Sequence, residues 1–211
     1  MTRPSQTAVL LVECQRGVIG DLSVLPELAA LARPAVAHMA ELARAARASG
    51  VTVAHLTYAP VAGGRSTNQR SPLTRATAAT SGWDRDHPGA EVLPEIGVGA
   101  DDLVFERRQG ISPVHRTEIL AVLRNMGITD VVAAGVSTNL AVLLVAVAAS
   151  DEDFDVTVAT DATVGVPVSH HESMLRHSLG FVARLATVDA LVASWESATT
   201  GAPPASVEAG R

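Results

Sequence analysis

An apolar run of strand length that passes through one glycine into a helix fits few architectures, and residues 131–149 (VVAAGVSTNLAVLLVAVAA) form such a run. The first half shows no polar alternation, as expected of a strand covered on both faces in a parallel sheet. Ser137, Thr138 or Asn139 opens the helix that follows. A strand feeding a helix N-terminus leaves backbone N–H groups, and the positive end of the helix dipole, facing whatever binds there.

The rest of the chain repeats the theme. Residues 7–12 (TAVLLV) are a second buried strand, ending at Glu13-Cys14-Gln15. Pro34 suits the first position of a helix, apolar residues recur at helical spacing behind it, and Gly50 suits its C-terminal cap. Strands are expected over 51–58, 102–106, 129–134, 155–160 and 182–187. Helices are expected from Ser112 or Thr117 to 125, and over 139–149, 167–179 and 188–197. Residues 60–99 are too long for a plain loop and imply a functional excursion or short helices. Alternation of strand and helix predicts a three-layer α/β/α fold, Rossmann-like, with a six-stranded, mostly parallel sheet and helices on both faces. Residues 1–198 read as one domain, and 199–211 (TTGAPPASVEAGR) as a flexible tail.

Composition narrows the function. Hydrophobic residues make up 47% of the 211, charged residues 18%, and the net charge is −6 with no basic run. That describes a globular chain and argues against a nucleic-acid partner, which requires a clustered cationic face. The opening residues show no signal-peptide h-region with a cleavage site and no 18-residue apolar stretch is free of turn signals, so no membrane partner and a cytoplasmic location are expected. Cys14 is the single cysteine, which rules out an intrachain disulfide, and every Lys/Arg position is an arginine.

Ligands of open α/β sheets bind beyond the carboxyl ends of the strands. The candidates there are Glu13 and Gln15, Tyr58, Arg107 and Arg108, residues 135–141, and Asp161. Glu13 closes an apolar strand, so burial should raise its pKa; it serves either as a general acid or base, or as a partner for loop N–H groups or an arginine. Arg107 and Arg108 form either a solvated charge cluster or a fixed cation facing Glu13 or an anionic substrate. Strand alternation points Glu13 and Cys14 in opposite directions, so Cys14 reads as a small buried hydrophobe. His55, His87, His170, His171 and His177 match no metal-ligand spacing, and neither a metal nor another cofactor is expected.

Four stretches carry a resemblance. VLLVECQ resembles an opening strand that usually ends Asp-Met-Gln, and PGAEVLPEI resembles a PGAEI-x-PEL segment. ISPVHRTEILAVLRNMGITDVVAAGVSTNLAV and DATVGVPVSHHESML resemble the two segments that follow in the same order. Together they are similar to the isochorismatase-like (cysteine hydrolase) superfamily. The resemblance implies that family's fold, and a Cys–Asp–Lys triad whose positions here hold Ala141, Glu13 and Arg108. It also implies a cis peptide at Val136-Ser137 and a homodimer or homotetramer. Ala141 cannot attack a carbonyl, so the family's covalent route is closed at that position. True isochorismatases also lack the cysteine and use the carboxylate to protonate a vinyl ether.

Three readings follow. One is a non-covalent hydrolase acting on a small, anionic or cyclic metabolite, with Glu13 as general acid or base and Arg108 as charge stabiliser. In it, Gln15, Val136, Ser137, Thr138 and Asn139 line the substrate site. The alternative is a catalytically inactive relative that binds a small ligand or a protein. The third moves catalysis to His55, His87 or Cys14.

Overall fold

The computed structural model describes residues 3–80, 82 and 84–200. Six parallel strands make one sheet: β1 (Thr7–Val12), β2 (Thr52–Tyr58), β3 (Leu103–Arg107), β4 (Asp130–Val136), β5 (Asp155–Val164) and β6 (Arg184–Ala186), in the order β3-β2-β1-β4-β5-β6. The chain winds outward from β1 to one edge, then returns to β4 beside β1 and winds to the other. That reversal opens a crevice at the carboxyl ends of β1 and β4.

Every residue of β1 is buried, because helices cover both faces. Val9 and Leu11 point to one core, with Leu28, Met39 and Leu42 of α2 (Pro26–Ala48) and Trp195 of α8 (Val188–Thr200). Ala8, Leu10 and Val12 point to the other, with Ile119 and Leu123 of α4 (Ile119–Asn125) and Val145 and Ala146 of α5 (Leu143–Asp151). The period of two along β1 is thus satisfied on both sides by apolar partners.

The strands fall where the apolar runs put them, and the ends differ. β3 runs one residue further than expected, to Arg107, and β5 runs to Val164. The helix expected to begin at Pro34 begins at Pro26 and carries Pro34 inside it. Pro34 lies on the exposed face. Burial of Leu28 and Ala32 on the opposite face offsets an interior proline that costs about 3 kcal/mol. The 60–99 excursion carries α3 (Pro72–Thr80) and short 3-10 turns at Ala62–Gly64 and Pro88–Ala90. Of the tail, residues 199 and 200 belong to α8, and 201–211 lie outside the described residues.

Gly135 sits next to the crevice with φ +107, and a Cβ there would stand 2.2 Å from the Val12 carbonyl oxygen. Only glycine lets β4 approach β1 that closely at the turn. The β4–β5 register shifts at the same place, between Ala133 and Gly135.

Candidate active site

The crevice holds a small cleft of about 100 Å³ walled by Glu13 just past β1, by Tyr58 of β2 and Arg107 of β3, by Val18, Val24, Leu25 and Leu28, by α3, and by the turn after β4. Glu13 enters it from β1. Its N–H still continues the ladder to the Leu56 carbonyl, 2.8 Å away, and its backbone then turns left-handed at φ 52. Non-glycine residues rarely adopt that region, and where they do the surroundings hold them there. The consequence is that Glu13 lines the cleft while Cys14 turns into the core, 2% exposed. The Cys14 Sγ lies 3.7 Å from the Met39 sulfur, and burial, helped by the Glu13 charge, pushes its pKa up to about 12. The chain's one thiol is therefore outside the cleft and protonated.

Arg107 is the partner of Glu13. Its Nη2 donates to the Glu13 carboxylate, its Nη1 donates to the Gly110 carbonyl, and its guanidinium carbon lies 4.4 Å from the centre of the Tyr58 ring. Arg108, expected in this role, is elsewhere: its Nε donates to Glu106 Oε1 at 2.9 Å, and its side chain is 49% exposed. The reason is strand alternation. Residues 106 and 108 project to one side and pair with each other, while residue 107, in register with Tyr58, projects to the other. The opposite charges of Glu106 and Arg108, two apart at a strand end, were the sequence signal that could have singled out Arg107.

Burial raises the Glu13 pKa above its ordinary 4.5, and the charge and hydrogen bond of Arg107 oppose that shift without cancelling it. The carboxyl can therefore hold a proton at higher pH than a free glutamate.

The turn after β4 contributes less than expected. Ser137 and Ala141 line the cleft with Glu13. Val136 does not; it is fully buried in the core beneath. Thr138 is buried with its hydroxyl 2.7 Å from His171 Nδ1, and the Asn139 Oδ1 is buried without a hydrogen-bond partner. Both side chains lie beside Gly165 and not in the cleft wall, because the chain enters a wide helical turn over Thr138–Val142 that rotates them away. Burial lowers the His171 pKa, with the neighbouring Glu172 opposing. The peptide between Val136 and Ser137 is cis.

Gln15, expected to touch substrate, is structural. Its amide nitrogen donates to the carbonyls of Tyr58 (2.9 Å) and Ala90 (2.8 Å), and its oxygen accepts from the Tyr58 N–H (2.7 Å). It clamps the excursion to the sheet, 0% exposed, with no group left over for a ligand. Asp161 is likewise engaged: it accepts from the Val188 N–H at 2.9 Å and lies 3.6 Å from His38. The 60–99 excursion supplies Leu73, Thr74 and Thr77 of α3 to the cleft wall, whereas Val18, Val24, Leu25 and Leu28, which also line it, carried no signal in the sequence that singled them out.

His55 and His87 do not line it. His55 bonds Asp102, and His87 caps the turn at Pro88 by accepting from the Gly89 N–H at 3.0 Å. Among the described residues no three His, Cys, Asp or Glu side chains gather as metal ligands, and no helix is long and apolar enough to cross a membrane.

A family model described as the isochorismatase domain matches residues 7–190. A cysteine hydrolase from Pseudomonas syringae pv. phaseolicola superposes with a TM-score of 0.76 at 22% identity, covering 93% of this chain and 95% of that one. An isochorismatase family protein from Burkholderia thailandensis gives 0.76 at 23%, covering 93% and 98%. N-carbamoylsarcosine amidase from Thermoplasma acidophilum gives 0.70 at 23%, covering 87% and 97%. No curated protein matches.

Proposed function

The chain belongs to the isochorismatase family, and from that premise we propose that it is a hydrolase that works without a covalent enzyme intermediate, with Glu13 transferring the proton. The observation that carries this reading is the state of Glu13: a carboxyl in a cleft, its pKa lifted by burial, beside a fixed arginine. A general acid or base is most effective when its pKa has been moved toward the working pH. Protonated Glu13 gives its proton to the leaving atom of the substrate as water attacks the adjacent carbon. The proton released from that water then returns to Glu13, which restores the starting state. Arg107 takes the role expected of Arg108 and stabilises the carboxylate that Glu13 becomes in mid-reaction. Ala141, at the position where the family resemblance puts a nucleophile, presents only a methyl group, and Cys14 is turned away.

The test is turnover of a panel of small vinyl ethers, amides and esters by the wild-type protein and by Glu13→Gln. Wild-type turnover that disappears in Glu13→Gln, with an unchanged fold by circular dichroism, supports the reading. A Glu13→Gln variant with the wild-type rate would falsify it. The competing reading, an inactive relative that binds a ligand, draws on Ala141 and on the mutual engagement of Glu13 and Arg107. It predicts ligand-dependent stabilisation with no turnover across the panel.

A further inference from the structure

Glu13 and Arg107 share one small space, and the net charge of that space turns on a single proton. Arg107 is 7% exposed. Its Nη2 faces the Glu13 carboxyl, its Nη1 the Gly110 carbonyl, and its Nε–H is buried without a hydrogen-bond partner. With Glu13 ionised the pair is neutral. With Glu13 protonated, as the hydrolase reading requires, one positive charge is left over on a guanidinium that still has a donor unused. A charge without a counter-charge in an apolar site is strongly disfavoured.

Nothing else on the wall balances that charge. Among the described residues, the remaining titratable side chain of the wall is Tyr58 of β2, whose ring centre lies 4.4 Å from the guanidinium carbon. The Cys14 thiol is turned into the core behind Glu13 and stays protonated. The wall residues of α3, of the 18–28 segment and of the turn after β4 carry no charge. Val18, Val24, Leu25, Leu28, Leu73 and Leu140 make most of the surface aliphatic, and the Ser137 hydroxyl makes no hydrogen bond within the protein among the described residues. At about 100 Å³, the space takes on the order of ten water-sized atoms.

A ligand carboxylate supplies the missing negative charge. It cannot do so beside an ionised Glu13, because two carboxylates around one guanidinium repel and one of them takes up a proton. We propose that the cleft binds a small aliphatic carboxylate together with one proton from solvent, so that arrival of the anion itself converts Glu13 to its acid form. The proposal rests on the cleft being the substrate site of the hydrolase reading; it names the substrate class of that site and couples occupancy to the state of the acid. The carboxylate is the anchor, held by the charge of Arg107 and the Ser137 hydroxyl, and the bond to be broken lies elsewhere in the same molecule. By linkage, the proton tightens the anion's binding by the same factor as the anion tightens the proton's.

The test is calorimetry on the full chain between about pH 6 and 9, in pairs of buffers with different ionisation enthalpies, so that proton uptake is read beside affinity. Isovalerate and methyl isobutyl ketone have nearly the same shape, differ by one charge and cannot be hydrolysed. Wild-type affinity for isovalerate should fall as pH rises, approaching roughly tenfold per pH unit at the alkaline end, with uptake approaching one proton per molecule bound. At the acid end isovalerate should bind at least about tenfold more tightly than the ketone. Glu13→Gln, neutral at every pH, should bind isovalerate with neither slope nor proton uptake, and at the alkaline end at least about tenfold more tightly than the wild type. Isovalerate that fails to bind, or that binds the wild type without proton uptake throughout the range, overturns the proposal. So does uptake that persists in Glu13→Gln, or a ketone bound more tightly than isovalerate at the acid end. If Glu13→Gln does not fold, the wild-type buffer comparison decides alone. Wild-type turnover retained in Glu13→Gln would remove the hydrolase reading and leave the proton uptake standing, whereas binding without uptake would remove this proposal and leave acid catalysis standing.

Discussion

The fold holds two largely buried arginine–carboxylate pairs at opposite ends of its strands, and they behave differently. At the amino end of β3, Asp102 receives two bonds from Arg47 (3.1 and 2.6 Å), one from the Gly99 N–H (2.8 Å) and one from His55 (2.8 Å). At the carboxyl end of β1, Glu13 receives its bond from Arg107. Burial raises both carboxyl pKa values. At Asp102 the combined donors outweigh it and bring the value down to about 2, whereas at Glu13 one arginine leaves it raised. The number of donors thus separates a carboxylate fixed in its charge from one able to exchange a proton. His55 fits the fixed pair. Facing a carboxylate, its Nε2 carries the hydrogen, which leaves a buried Nδ1 without a partner and a pKa lowered chiefly by burial, against Asp102.

The most damaging way to break the contrast is Glu13→Gln. Turnover should fall by about 10²- to 10⁴-fold, the usual worth of a positioned acid or base, in a variant still folded by circular dichroism. Asp102→Asn should do the reverse, lowering unfolding free energy by about 3 kcal/mol, at the lower end for a broken buried pair because Arg47 is 30% exposed. Turnover per folded molecule should be unchanged, and a urea titration beside a rate assay separates the two effects.

The same contrast has opposite pH signs. Glu13 binds its proton more tightly in the folded state than in the unfolded state. Its contribution to stability is complete below 4.5 and is lost as pH rises through its raised folded pKa. Activity that needs the protonated acid should fall along the same limb. Arg107→Met removes the one influence lowering that pKa, so the limb in a plot of kcat/KM against pH should move to higher pH; a limb that stays put or moves down counts against the pairing. Asp102 acts in the opposite sense: its contribution is present above its ordinary 3.8 and is lost as pH falls toward about 2. His55 adds a loss as pH falls below 6.5, because folding disfavours its charged form. Acid unfolding of Asp102→Asn should accordingly be less steep than that of the wild type.

Smaller effects sharpen the assignment. Arg108→Met should leave both rate and stability within about 0.5 kcal/mol, as expected for an exposed pair. Cys14 should resist iodoacetamide until the protein unfolds, whereas the new thiol of Ala141→Cys should alkylate in the native state. Mass spectrometry of the two proteins reads this directly; a native Cys14 adduct would contradict the buried orientation.

Much of this molecule is written locally. The apolar, β-branched runs at 7–12, 51–58 and 129–134 read as buried parallel strands because they are of strand length and are bounded by turn residues. Glycine at 135 and the polar residues after it mark the turn where a ligand edge forms. The single cysteine and the absence of lysine exclude a cleft thiol paired with an ammonium before any coordinates are known. What the sequence left open were side-chain directions at chain reversals. Whether residue 107 or 108 meets Glu13 depends on where β3 ends, and the two partners are 94 residues apart. Gln15 reads as a ligand-edge amide until three backbone groups from β2 and the excursion arrive to occupy it. Thr138 and Asn139 sit at the expected turn yet face away from the cleft, because the helical turn that carries them is widened. Local apolar patterning fixes which segments are buried, but the orientation of a polar side chain follows from partners that only the folded chain brings within hydrogen-bonding distance.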